Sequence, residues 1–367
     1  MKSLFTLLIS CLLITSCSTQ NKVSNKSPYP KKAKNIILFI GDGMGLTQIT
    51  AGMYSNDNYT SLEEFPVVGL HKTHAYNDLV TDSAAGATAF SCGIKTYNGA
   101  IGVDPDTIPK ETILEEAEKR GLATGLVATS SIVHATPASF FAHNRSRQNY
   151  EEIALDFLNT EVDYFVGGGL KFFNQRKSDS LNLLDSLKAR NYSISSYFEK
   201  DFKKAKIPKE QNFAFLTAHD HPLTKSQGRD YLENASKKAV KYLDKRSEEG
   251  FFLMIEGSQI DWGGHANVGS YIISEMNEFQ HVIKKVLDWA KKDGETLVIV
   301  TADHETGGFA IQQGSIPDSL VTGFTSTYHT ATMIPVFAFG PGAEQFAGIY
   351  DNTAIYGKMR KAYGWKK

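Results

Sequence analysis

The chain predicts an α/β protein, a three-layer α/β/α sandwich built on a mostly parallel central sheet. Short continuous apolar runs recur along it, each ending in glycine or small polar residues, which is how strands buried on both faces read. Between them lie stretches with apolar residues at helical spacing, several stopping at glycine. Strands alternating with helices imply parallel strands covered on both sides. A third observation is where the reactive residues fall. Asp42, Glu256, Asp261, Asp303 and His304 all fall beyond the carboxyl ends of predicted strands, which is where sheets of this class bind ligands.

The first predicted strand is 35–40, NIILFI, which runs into Gly41-Asp42-Gly43. Residues 81–88, TDSAAGAT, read as a strand-to-helix corner. Asp82 or Ser83 would cap the orphan amides, and the small residues after them permit close helix packing. Residues 111–120 form a predicted helix stopped by Gly121. Strands follow at 122–131, before His134, and at 164–166, which ends in three glycines. Residues 170–212 are polar, lysine-rich and weakly periodic, and read as a peripheral helical excursion. Beyond them come strand 213–217, helix 230–249 ending at Gly250, strand 251–255, helix 274–292 ending near Gly294, and strands 296–301 and 334–339. The chain has no internal repeat.

At 367 residues the chain is long enough for one large domain with insertions. Its formal net charge of −1 lacks the basic excess of a nucleic-acid binder. Lys2 precedes an apolar run over 4–13, too short to span a bilayer as a mature helix, and Ile14-Thr15-Ser16 then leads to Cys17. Residues 1–17 therefore read as a secretory signal. They resemble a bacterial lipoprotein signal, with Cys17 as the lipidated first residue of an exported, membrane-anchored protein of the periplasm or cell surface. Residues 18–34, rich in Ser, Asn, Lys and Pro, read as a flexible tether, and 35–367 as a single domain. Cys11 leaves with the signal, so Cys92 is alone in the body, forms no internal disulfide there and is expected to be buried as a small apolar residue.

The reactive residues suit metals. Asp261 and His265 are four apart, one helical turn or a compact loop, so both can reach one ion. Glu256 sits five residues earlier at a strand end. Asp303 and His304 are adjacent where the chain turns, His329 follows a short excursion, and Asp42 lies in a glycine-flanked turn that lets backbone approach an ion closely. A serine hydroxyl such as Ser83 is a weak nucleophile until a base or metal activates it. His71, His74, His143, His219, His221 and His281 read as ordinary surface or packed histidines.

The motifs GDGMG (41–45), TDSAAGATAFSCGIKTYNGAIGVD (81–104), HATPA (134–138), EGSQIDWGGH (256–265), VTADHETGG (300–308) and HT (329–330) resemble the alkaline phosphatase family, from Asn35 to about Gly342. The resemblance implies hydrolysis of phosphate monoesters through a phosphoserine on Ser83, with phosphate scavenging as the natural role. It implies two zinc ions, the first on Asp261, His265 and His329 and the second on Asp42, Asp303 and His304. It also implies one magnesium on Asp42, Thr136 and Glu256, whose oxygens suit a hard cation. Arg147, at the family's spacing after HATPA, would clamp the phosphate in preference to Arg145. Asp82, His134 and Trp262 would border the substrate. His134 and Trp262 stand where some members carry Asp and Lys, and Thr306 stands where a histidine supports the ligands in others. A homodimer is a further implication.

Two other readings compete. A phosphodiesterase of the same superfamily usually keeps two zincs and a threonine nucleophile, so Ser83, Arg147 and the third-site trio favour a monoesterase. A non-catalytic phosphate- or metal-binding lipoprotein would have lost a nucleophile or ligand position, and none is lost.

Overall fold

The computed structural model describes residues 29–317 and 319–366. The signal over 1–17 and its Cys17 lie outside the described residues. Among the described residues no helix is long and apolar enough to cross a membrane.

The strands are β1 (Asn35–Gly41), β2 (Val67–Lys72), β3 (Ala123–Ser131), β4 (Tyr164–Gly168), β5 (Tyr192–Ser196), β6 (Asn212–Leu216), β7 (Phe251–Gly257), β8 (Thr296–Thr301), β9 (Glu305–Thr306), β10 (Ala310–Ile311), β11 (Thr322–Gly323), β12 (His329–Thr330), β13 (Ile334–Phe339) and β14 (Gly348–Asp351). The helices are α1 (Leu46–Tyr54), α2 (Ser83–Cys92), α3 (Ile113–Lys119), α4 (Ala135–Ala138), α5 (Tyr150–Leu155), α6 (Lys171–Asn174), α7 (Leu183–Ala189), α8 (Leu232–Leu243), α9 (Gln259–His265), α10 (Gly269–Asp293) and α11 (Ala354–Tyr363).

The central sheet has ten strands in the order β14-β2-β13-β8-β1-β7-β3-β4-β6-β5. The expected runs on β1, β3, β4, β6, β7 and β8 all form strands of it. Strand β1 shows why they are apolar throughout. Ile36, Leu38 and Ile40 pack on one face with α2, α3 and α11. Ile37 and Phe39 pack on the other with α1, α8 and α10. The period-2 alternation of side chains thus feeds two cores, one on each side, and makes three layers.

Three features differ from the sequence reading. Strand β13 is antiparallel to both its neighbours, β8 and β2. Among the described residues the connection from β8 carries short strands and no helix, so it does not cross a face of the sheet as a parallel return must. The 170–212 excursion contains α6 and α7 but also β5, the edge strand, parallel to β6. The tether over 18–34 is not loose at its end: Ala33 N–H donates to Ala362 O, Lys34 N–H to Glu295 O, and Tyr29 packs edge-on against Phe339. Cys92 ends α2, buried and unpaired, and burial pushes its thiol up to about 12.

At the amino ends of β3, β4, β5 and β6, opposite the carboxyl ends where the reactive residues gather, lies a cleft of about 560 Å³ lined by Glu118, Thr160, Asp163, Tyr192 and Arg246. Glu118 Oε1 accepts hydrogen bonds from Thr124 Oγ1 and Glu161 N–H, both at 3.2 Å. Burial raises the Glu118 carboxyl to about 7. The folded state therefore holds this proton more tightly than the unfolded chain. Stability falls as pH rises from the ordinary carboxyl value near 4.5 to about 7, then levels off. Glu118→Gln keeps the acceptor and removes the charge. We expect it to be more stable than the parent at pH 8, by on the order of 2 kcal/mol, and close to it at pH 4.5. Denaturant titration of both proteins at the two pH values checks this; a difference independent of pH refutes it.

Candidate active site

The reactive side chains sit at strand ends, on helices or, for Arg147, in a loop. Strand β1 delivers Asp42 in a turn whose N–H bonds back to Gly257 O at 3.2 Å. Gly43 follows at φ +70°, and a Cβ there would lie 2.7 Å from Asp261 Cα, so only glycine lets the two aspartates come this close. Strand β7 carries Glu256 and leads into α9, where Asp261 and His265 lie one turn apart. Beyond β8 come Asp303 and His304. Pairing of β12 with β9 sets His329 opposite Thr306. Helix α2 starts at Ser83, capped by Asp82, whose side chain accepts from Ala85 N–H at 3.0 Å. A Cβ on Gly86 would meet Asp303 Cβ at 2.9 Å, so the small residues of this helix let it close on the site.

Three ligand groups result. Asp261, His265 and His329 form the first, Asp42, Asp303 and His304 the second, and Asp42, His134 and Glu256 the third. Within each, the donor atoms lie within 4.8 Å of one another, and Asp42 belongs to two groups. In the first, His265 Nδ1 lies 2.7 Å from Thr327 O and His329 Nδ1 lies 2.8 Å from Thr81 O. A carbonyl only accepts, so both Nδ1 atoms carry the proton and both Nε2 atoms present lone pairs. Those two Nε2 atoms are 3.1 Å apart and flank the Asp261 carboxylate. Such an arrangement repels itself unless a cation sits among the atoms. Thr306 Oγ1 donates to Asp261 Oδ1, so this threonine orients a ligand.

The buried carboxylates make the same point. Burial, with Asp303, Asp261 and Glu256 nearby, pushes Asp42 well up. Burial raises Glu256 to about 7 and Asp303 to about 6. Asp42 Oδ2, Asp303 Oδ2, Glu256 Oε1, His134 Nδ1 and Thr136 Oγ1 are buried without a hydrogen-bond partner. Buried unpaired carboxylates are strongly unfavourable unless paired or bound to metal. The donor sets therefore fit cations: nitrogen and carboxylate in the first two groups, mainly oxygen in the third. His134 adds a nitrogen to that third group, beside the expected Asp42, Glu256 and Thr136.

Ser83 Oγ lies 3.4 Å from Asp42 Oδ1 and 3.3 Å from His304 Nε2, so it borders the second group. Arg147 Nη1 pairs with Asp82 Oδ2 at 2.9 Å, and its Nη2 is 3.3 Å from His134 Nε2. Arg145 is exposed. Together Asp82, Ser83, His134, Arg147, Asp261, His265 and His329 line a cavity of about 310 Å³, as do Gln148, Tyr150 and Tyr328. Trp262 does not line it. Its ring packs edge-on against His134 and His221, with centroids 6.1 and 4.8 Å away. His221, read as ordinary, is part of this brace: its Nδ1 accepts from Ser131 N–H at 3.1 Å and its ring stands 5.5 Å from that of His134. Nothing in its local sequence marks it. By contrast His71 is structural, buried with Nε2 against Ala302 O, and His143 pairs with Glu115.

The sequence model of the family described as alkaline phosphatase matches residues 33–321. Alkaline phosphatase 3 of Bacillus subtilis is 34% identical, over 95% of this chain and 92% of its own. Alkaline phosphatase of Escherichia coli is 32% identical, over 92% of this chain and 87% of its own. Among solved structures, alkaline phosphatase from the Antarctic bacterium TAB5 is 46% identical and superposes with a TM-score of 0.85, covering 92% of this chain and 99% of that one. A His-to-Asp mutant of the TAB5 enzyme with Mg bound in its M3 site is 45% identical over the same shares, with a TM-score of 0.86. This chain belongs to the alkaline phosphatase family.

Proposed function

We infer that the protein hydrolyses phosphate monoesters to an alcohol and inorganic phosphate, with Ser83 as nucleophile. The observation that carries this is the position of Ser83 Oγ, at the start of α2, beside the second ligand group and in the cavity that Arg147 also lines. We assign zinc to the first two groups, whose nitrogen and carboxylate donors suit it. Magnesium is assigned to the oxygen-rich third group, in keeping with the M3 site of the TAB5 mutant. When bound, these ions supply Lewis acidity and lower the pKa of the serine hydroxyl and of the hydrolytic water.

The chain's own residues then divide the work. Arg147, fixed by Asp82, binds two equatorial phosphate oxygens through its planar fork. The first amides of α2 add donors at the helix N-terminus. Ser83 Oγ bonds to phosphorus as the ester bond to the alcohol breaks, and water later displaces phosphate from the serine. Export, lipid attachment at Cys17, a homodimeric state and a role in phosphate scavenging belong to the same proposal and rest on the sequence and the family resemblance.

A soluble form beginning after Cys17 tests it, assayed with nitrophenyl phosphate and bis-nitrophenyl phosphate at alkaline pH. We expect monoester preference, loss of turnover by on the order of 10³-fold on chelation, recovery with zinc and a further gain with magnesium. Diester preference would move the protein to the diesterase branch. Turnover unaffected by chelation would remove the metals from the reading.

A further inference from the structure

In an in-line displacement the attacking and leaving oxygens sit on opposite sides of phosphorus. Ser83 Oγ borders the second ligand group, so the leaving oxygen lies toward Asp261, His265 and His329. The wall of the cavity on that side includes Tyr328, the residue before His329. Its ring lies nearly parallel to that of His329, at 10° and 4.4 Å between centroids, and stands 5.8 Å from that of His265. Tyr328 is nonetheless 51% exposed. Its backbone is held at both ends: its N–H donates to Ser326 Oγ at 2.8 Å, and its carbonyl accepts from Gly307 N–H at 2.9 Å. A half-exposed aromatic ring, fixed in place at the mouth of a polar pocket, is a flat apolar surface with room for a partner.

The groups suited to phosphate, Arg147 held by Asp82 and the first amides of α2, lie toward Ser83. Tyr328 lies where the carbon skeleton of the alcohol must leave. We propose that Tyr328 is a stacking platform for the leaving alcohol, and that the site therefore favours phosphate monoesters of flat aromatic alcohols over those of small aliphatic ones. This rests on the monoesterase reading above and adds a substrate class to it.

The competing role for the ring is to brace His329. Bracing would affect every substrate alike, whereas stacking changes the ratio between classes. The experiment compares the parent with Tyr328→Phe, Tyr328→Leu and Tyr328→Ala. For each, the inhibition constants of benzylphosphonate and ethylphosphonate, which are not hydrolysed, are measured together with zinc content by elemental analysis. We expect Tyr328→Leu and Tyr328→Ala to reduce the preference for benzylphosphonate about two- to ten-fold, and Tyr328→Phe to retain it. Leu keeps the bulk without the flat face, so it answers the question even where Ala perturbs folding. An unchanged ratio in both, or a loss that tracks lost zinc, overturns the proposal. Glycerol phosphate turnover by the parent is the separate control: its absence would count against the monoesterase reading and leave the phosphonate ratio to judge the platform.

Discussion

Ser83→Ala retains its metals, forms no phosphoenzyme and loses on the order of 10³-fold or more in turnover. The argument starts from burial. Ser83 is 1% exposed, at the first position of α2, and its oxygen is aimed at the second ligand group. Alanine suits a helix start that Asp82 already caps, so the change removes one oxygen and leaves the backbone in place. The ligand groups draw on other residues and keep their donors. Rapid quench with labelled phosphate distinguishes the outcomes: label bound covalently to the variant would falsify the assignment. Residual hydrolysis by direct attack of water would still be compatible with it, since binding and electrostatics survive.

Arg147→Ala is expected to lower kcat/KM for a monoester by about 10²-fold and for a diester by about ten-fold or less. A monoester dianion offers the guanidinium fork two charged oxygens, and a diester offers fewer. Asp82 balances the arginine in the resting site, so the substitution also leaves that carboxylate unpaired, beside the arriving phosphate. Arg147→Lys restores the charge without the fork and should recover only part of the loss. Parallel kinetics on the two ester classes decide the matter; equal losses would mean that Arg147 serves the architecture of the pocket and not the phosphate.

What could be read from the chain follows from what each feature costs to hide. The strands β1, β7 and β8 lie inside the sheet with both faces covered, so their runs are apolar throughout and stand out from the residues around them. The strands β2, β5 and β14 lie at or near the edges. Val68 and Ile349 remain exposed, and the patterns there look like ordinary surface. The direction of β13 was not legible, because an apolar run carries no sign of which way it enters a sheet. At the site, Asp42, Glu256, Asp303 and His304 could be found because a strand end is a fixed place for a ligand. Gln148 and Tyr150, in the loop before α5 and at its first residue, and His221, behind His134, join it through tertiary contacts alone. His134 shows the intermediate case: its motif marks the neighbourhood, while its membership of the third group depends on how Glu256 and Asp42 approach it.

The second group joins Asp42 to Asp303 and His304, and the third joins Asp42 to His134 and Glu256, so no short contiguous fragment carries either of them complete. Any ion held there binds only the finished architecture, and its binding energy opposes global unfolding and not the fraying of one element. Hydrogen exchange should therefore slow together in β1, β7 and β8 when metal is restored, as one cooperative unit. A chain with this wiring is inert until its last strands are in place, so a polypeptide crossing a membrane unfolded would have no activity before it reached the far side.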